Sequence, residues 1–391
     1  MDSPAQSWHL QDGVTYLNHG SFGPSPEPVL AARWEWIDRL ESEPMDFLVR
    51  QLAGHLDAAT DRLGKFVGCS GDNLIFVPNA TAGMNIAATN IPLSEGDEVL
   101  LTDHEYGAVV RIWGQACQQA GAKTVLARLP LPLTNRGDVV EAVFERVTPR
   151  TKVIVISHVT SQTAVCLPVQ EVCERAREQG ITTVVDGPHA VAMSCERIDT
   201  IPCDFYAASC HKWLSAPLGT GFLYVRSRHK QGLKPTMWSW GKSLTGAAPS
   251  WKDEFHWPGT FDPTGYLSVP AAIDFLESFG VQKFRDVTHG LAQQARAKLQ
   301  TYGDGSTLSA DSPDWYGSMV SVPFPDETEQ ATFPGDMHPL QAWLWEKHRI
   351  EVPIIRWKEQ TLLRVSCHLY TEPEHLDQLF TALDEWVNID Q

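Results

Sequence analysis

Between about residue 55 and residue 230 the chain alternates short apolar runs with amphipathic stretches. This pattern restricts it to an α/β architecture with a mostly parallel, doubly wound sheet. The apolar runs are NLIFV (73–77), DEVLL (97–101), KVIVIS (152–157), ITTVV (181–185), DFYAAS (204–209) and GFLYV (221–225). Between them lie segments of helical spacing such as EAVFERV and VQEVCERAREQG, the second closed by Gly180 as a helix stop. From Pro270 the texture changes to helical patterns, then a polar, Pro-rich region, then the strand-like TLLRVSCHLY. The opening segment, with YLNHGSFGPSPEPV, holds too much Gly and Pro to begin a sheet core; it either lies across the surface or joins the smaller unit. The expected organisation is an N-terminal segment and linking helix over 1–54, a large domain over 55–265 and a smaller α+β C-terminal domain over 266–391.

Composition removes several classes of function. A chain of 391 residues that is 43% hydrophobic builds a substantial core. Its formal net charge of -17 opposes general binding to nucleic acid or to an anionic membrane. The start MDSPAQSWHL lacks the charged and apolar regions of a secretory signal, and no run reaches the length of a membrane span, so a cytoplasmic protein is expected. The eight cysteines form no CxxC pair and no HExxH motif is present, so no catalytic metal is expected. Five of the 14 tryptophans, Trp213, Trp238, Trp240, Trp251 and Trp257, bracket the stretch GKSLTGAAPS, where core or subunit packing and a pocket wall are both open readings.

In open parallel α/β sheets ligands bind beyond the carboxyl ends of the strands. Five successive strand ends here carry polar or glycine-containing segments: PNATAGMN, TDHEYGA, HVTSQT, DGPHA and CHKWL. Asn79, Ala80, Thr81 and Gly83 open a helix whose free N–H groups suit a phosphate, although a plain helix cap explains Asn79 or Thr81 equally well. Asp186, ahead of Gly187, reads alone as a solvated turn residue and in a ligand crevice as a carboxylate requiring a cation. Tyr106 either packs in the core or covers a flat ligand; His189, Ser161 and Thr163 are weaker pointers.

Residues 209–221, SCHKWLSAPLGTG, put Lys212 at the last of these strand ends. Taken singly it is a solvated loop lysine. Taken with a phosphate-binding helix start, an aspartate and an aromatic cover, it suits pyridoxal 5'-phosphate (PLP). Lysine condenses with that cofactor's aldehyde, and a carboxylate keeps its ring nitrogen protonated. The 26 residues from Asp186 to Lys212 leave room for one αβ unit of the same sheet.

At these residues the sequence resembles the class-V aminotransferase group of fold-type I PLP enzymes, within it the isopenicillin N epimerase and selenocysteine lyase/cysteine desulfurase branch. The resemblance rests on YLNHGSFGP, NATAGMN, DHEYGAV, HVTSQT, DGPHA, SCHKWL, GTGF, GTFDPT and LRVSCHLYT, in family order over residues 16–371. It implies that Lys212 binds the cofactor covalently and that Asp186 partners its ring nitrogen. Tyr106 would stack on the ring, where desulfurases usually carry histidine, with Ser161 and His189 beside the ring hydroxyl. Ala80, Thr81, Ser209 and His211 would hold the phosphate, joined by Thr260 of a neighbouring subunit, so a homodimer with shared sites is implied. Arg364 would grip the carboxylate of an amino-acid substrate, with Asn18 and His19 on the substrate side.

Two departures stand out. Pro188 replaces a frequent alanine and removes a backbone donor ahead of His189. The stretch HRIEVPIIRWKEQ before Arg364 contains no cysteine, and Cys367 is expected to be packed, which disfavours a persulfide relay. The reaction implied is chemistry at Cα through a covalent cofactor adduct and a carbanion, epimerase-like. The alternatives are a C–S lyase of the cysteine-conjugate or hercynylcysteine sulfoxide type, an aminotransferase, and a catalytically silent binding protein of the same fold. A Rossmann-type nucleotide enzyme is disfavoured because PNATAGMN lacks the GxGxxG spacing.

Overall fold

The structure, a computed structural model, describes residues 7–241, 250–325 and 337–388. Seven strands form the main sheet: β1 (Leu74–Val77), β2 (Glu98–Thr102), β3 (Lys123–Ala127), β4 (Thr151–Ser157), β5 (Thr182–Asp186), β6 (Phe205–Ser209) and β7 (Gly221–Val225). Their order is β1-β7-β6-β5-β4-β2-β3. The five strands from β2 to β6 pair in parallel, while β7 lies antiparallel between β1 and β6.

Side chains alternate between faces along a strand. In β4, Ile154 and Ile156 enter the core on one side, Val153 and Val155 the core on the other. Covered on both faces, such a strand reads as an unbroken apolar run. The edge strand β3 does not. Its first two residues are exposed and Leu126 is 47% exposed; the apolar run is only VLA, too short to have been expected as a strand.

The helix Ala80–Asn90 follows β1, capped by the Asn79 side chain, which accepts from the Ala82 N–H at 2.9 Å. Gly83 lets this helix lie close on β6: a Cβ there would stand 2.9 Å from Cβ of Ala207. The helix Gly107–Ala120 follows β2, with Tyr106 at its N-cap.

A second sheet of β8 (Met319–Pro323), β9 (Ile354–Trp357) and β10 (Gln360–Ser366) is antiparallel, in the order β9-β10-β8. The helix Val281–Leu299 packs on it through Phe284, Leu291, Ala292, Ala295 and Leu299. The N-terminal segment joins this unit: Thr15–Tyr16 pairs in parallel with Ile350–Glu351, and Asn18 bridges Ser366. That pairing carries Gly20–Phe22 across to the main sheet. Of the tryptophans, Trp213 is fully buried, whereas Trp238 and Trp240 are exposed. Residues 242–249 of the GKSLTGAAPS stretch lie outside the described residues.

Candidate active site

The connection from β6 to β7 turns sharply. The Lys212 carbonyl accepts from the Ser215 N–H at 2.7 Å, and Ser215 sits in the left-handed region at φ 56°. His19 Nε2, 2.9 Å from the same carbonyl, supports the turn from behind. The Lys212 amine projects into a cavity of about 320 Å³ at the carboxyl ends of the parallel strands. Its Nζ lies 3.0 Å from Nε2 of His189, whose Nδ1 accepts from the Trp213 indole N–H at 3.3 Å. Burial, with the nearby Arg364 charge and against the Asp186 carboxylate, lowers the Lys212 amine to about 7. A large fraction is therefore neutral near neutral pH.

Asp186 ends β5, with Ser157 of β4 and Ala207 of β6 beside it in register. Among the described residues its carboxylate accepts no hydrogen bond, although it is 3% exposed. Burial, then the neighbouring Glu105, raise it to about 7, against the pull of Lys212. Glu105 is treated differently. It accepts from Thr102 Oγ1 (2.7 Å), Ser157 N–H (3.1 Å) and Ser157 Oγ (2.6 Å), and burial still pushes it above the usual carboxylate range.

At the opposite wall the helix Ala80–Asn90 presents its N-terminus. The Ala80 N–H bonds to Ser209 Oγ at 3.2 Å, and Thr81 adjoins it. His211 Nδ1 donates to the Thr220 carbonyl at 2.8 Å, which leaves Nε2 uncommitted. Helix dipole, hydroxyl and imidazole together make a seat for an anion.

Arg364, on β10 opposite Ser321 of β8, comes in from the second sheet. It donates to the Ser161 carbonyl (2.7 Å), to Ser21 Oγ (2.7 Å) and, at 3.4 Å, to Asn18 Oδ1. Its Nε has no partner, and no carboxylate pairs with it among the described residues. Burial lowers this guanidinium to about 10, against the influence of Tyr106 and Tyr16. A buried cation with a spare donor fits a carboxylate ligand.

One cavity thus gathers Ala80, Thr81, Tyr106, Ser161, Asp186, His189, Ser209, His211, Lys212 and Arg364. Three expected residues lie elsewhere. Asn18 stands behind Arg364, holding it and donating to Glu351 at 3.1 Å. His19 is fully buried, with Nδ1 on the Tyr370 hydroxyl, so it does not face a substrate. Thr260 is exposed and away from this chain's own cavity. Pro188 forms part of the wall, and His189 still reaches Lys212. Cys367 is fully buried as expected, and none of the eight cysteines lines the cavity. Sequence reasoning missed Glu105, although it lies inside the quoted DHEYGA; an acid between a strand end and a helix start was the available signal.

An unsatisfied buried carboxylate, an amine of lowered basicity, an anion seat and an unpaired arginine fit PLP carrying an amino acid. A seven-stranded sheet in this order, with these groups at its carboxyl-terminal edge, defines an α/β enzyme of fold type I. Residues 16–379 match the family described as aminotransferase class-V. The isopenicillin N epimerase of Amycolatopsis lactamdurans is 36% identical over 391 residues, covering 96% of each chain. A probable cysteine desulfurase of Halalkalibacterium halodurans is 27% identical, over 95% of this chain and 93% of its own. Among solved structures, a C-DES variant with glycine covalently linked to its PLP cofactor gives a TM-score of 0.82 at 20% identity, over 97% of this chain and 98% of that one. The chain belongs to the class-V aminotransferase family of PLP-dependent enzymes.

Proposed function

We propose that this enzyme moves the proton at Cα of an amino acid, in the manner of an isopenicillin N epimerase. The observation that carries the reading is the pairing, in one cavity, of the Lys212 amine with an Arg364 guanidinium that has no acidic partner among the described residues. Lys212 would hold the cofactor's aldehyde, Asp186 its ring nitrogen, and Ala80, Thr81, Ser209 and His211 its phosphate. Tyr106 would cover the ring, with Ser161 and His189 beside its hydroxyl. The bound cofactor supplies an electron sink for the pair left at Cα when its proton departs.

The remaining work falls to the chain. Arg364 binds the substrate carboxylate through parallel N–H donors and orients Cα. The neutral Lys212 Nζ accepts the Cα proton, which its lowered basicity permits near neutral pH. Asp186 holds a proton at the ring nitrogen. Inversion requires a second donor on the far face. Tyr106 borders the cavity and His19 does not, so Tyr106 is the candidate.

The family branch also includes loss of a β-sulfur group. No cysteine lines the cavity, which disfavours a persulfide relay and favours direct C–S lysis as the sulfur reading. The test is incubation with L-amino acids in heavy water. Deuterium at Cα with inverted chirality is expected; pyruvate with released sulfide would establish lysis, and keto acid alone would establish transamination. Lys212→Ala should lose both the visible cofactor band and the exchange. A variant that keeps its exchange rate would remove Lys212 from the mechanism.

A further inference from the structure

The lysine is followed directly by a tryptophan whose indole is fully buried and whose Nε1 reaches only His189. An indole N–H donates and never accepts. Burial first, then the Lys212 and Arg364 charges, hold His189 well below the ordinary histidine value, so its ring is neutral, with one donor nitrogen and one acceptor. Nδ1 accepts from Trp213, so the ring proton sits on Nε2, which faces Lys212 Nζ at 3.0 Å. An ammonium offers donors only, and two donors would then face each other. A neutral amine, with its lone pair, satisfies the contact.

We propose that Trp213 is a positioning residue: its indole N–H fixes His189 in the Nε2–H tautomer, and that tautomer keeps the Lys212 amine neutral, ready for the cofactor's aldehyde. The proposal rests on the functional reading above only for what the amine then does. Other groups act on the same nitrogen. Arg364 works in the same direction and Asp186 against it, Glu105 reaches it only through Asp186, and His19 and His211 adjoin its backbone.

Trp213→Phe keeps an aromatic ring and deletes the donor. His189 is then free to carry its proton on Nδ1 and to accept from an ammonium at Nε2. The measurement is the pH dependence of the rate at which the cofactor-free full-length chain forms its coloured complex with PLP. The midpoint is expected to rise by about one pH unit in Trp213→Phe, which makes capture roughly tenfold slower below the midpoint. In a His189→Ala background the same change should leave the midpoint unmoved, because no imidazole remains to orient. An unshifted midpoint in Trp213→Phe, or an equal shift with and without His189, overturns the proposal.

A second measurement needs no variant to fold and no colour to form. The ¹⁵N shifts of His189 in the wild-type chain should show Nε2 protonated and Nδ1 bare. The reverse pattern overturns the tautomer assignment. A wild-type chain that shows the expected tautomer yet captures no PLP would instead sink the functional reading.

Discussion

Asp186 and Glu105 are both buried carboxylates at strand ends, yet only Glu105 has donors. Asp186 has been left for a ligand, and the cofactor-free chain bears the cost. A carboxyl raised from its ordinary value to about 7 destabilises the fold as pH climbs through that interval, because the folded state binds the proton more tightly than the unfolded one. Cofactor-free Asp186→Asn should therefore be more stable than wild type at about pH 8, by an amount on the order of 2–4 kcal/mol. The advantage should fade on acidification and vanish below about pH 3, where both states of the wild type are protonated. Denaturant titrations at several pH values read this directly, and a pH-independent difference would mean that Asp186 is ionised and well solvated. Arg364→Lys keeps the charge but loses the planar fork. We expect KM for the amino acid to rise roughly 10- to 100-fold, with the cofactor band unchanged; loss of colour would reassign the arginine to the cofactor or the fold. Lys212 and Asp186 were legible in the sequence because strand ends announce themselves. The roles of Glu105 and Trp213 were not, since one depends on the register that sets Ser157 beside Asp186 and the other on a ring tautomer.

At the scale of elements, legibility followed burial. Strands covered on both faces, such as β4 and β5, show continuous apolar runs, whereas β3 at the edge is half solvated and shows only the three-residue run VLA. Likewise, pattern alone did not reveal that β7 inserts antiparallel between β1 and β6, because an apolar run carries no information on strand direction. The helix Ala80–Asn90 links packing to ligand binding. Its N-terminus can meet an anion only while the helix lies close on β6, and Gly83 permits this by facing Ala207 without a Cβ. Gly83→Ala should overpack that contact, cost about 1–3 kcal/mol in urea unfolding and speed PLP release as the helix start backs away. Adding Ala207→Gly to the same chain should slow release again. If it does not, the effect of Gly83→Ala is not a contact between these two elements.

For the whole molecule, the question is what covers its exposed apolar surface. Trp34, Met45, Val49, Trp238 and Trp240 are each at least half exposed, and Val49 and Trp240 line one groove with Leu48, Leu52 and Trp257. An apolar aromatic surface of this kind marks an interface. We propose a second copy of the chain as its occupant, which would also account for the exposed Thr260 three residues beyond Trp257. In a symmetric dimer Thr260 would reach the partner's cavity rather than its own. The prediction is one of complementation. Lys212→Ala protomers lack the reactive amine, and Thr260→Ala dimers lack the added phosphate contact at both sites. In a mixed dimer the Thr260→Ala protomer keeps its own Lys212 and receives an intact Thr260 from its partner, so that one site is whole. After dissociation and reassociation of an equal mixture, about a quarter of all sites should regain wild-type cofactor retention and Cα exchange. If Thr260 serves its own cavity, or the chain is a monomer by sedimentation, mixing gives only the average of the two parents and the shared-site arrangement fails.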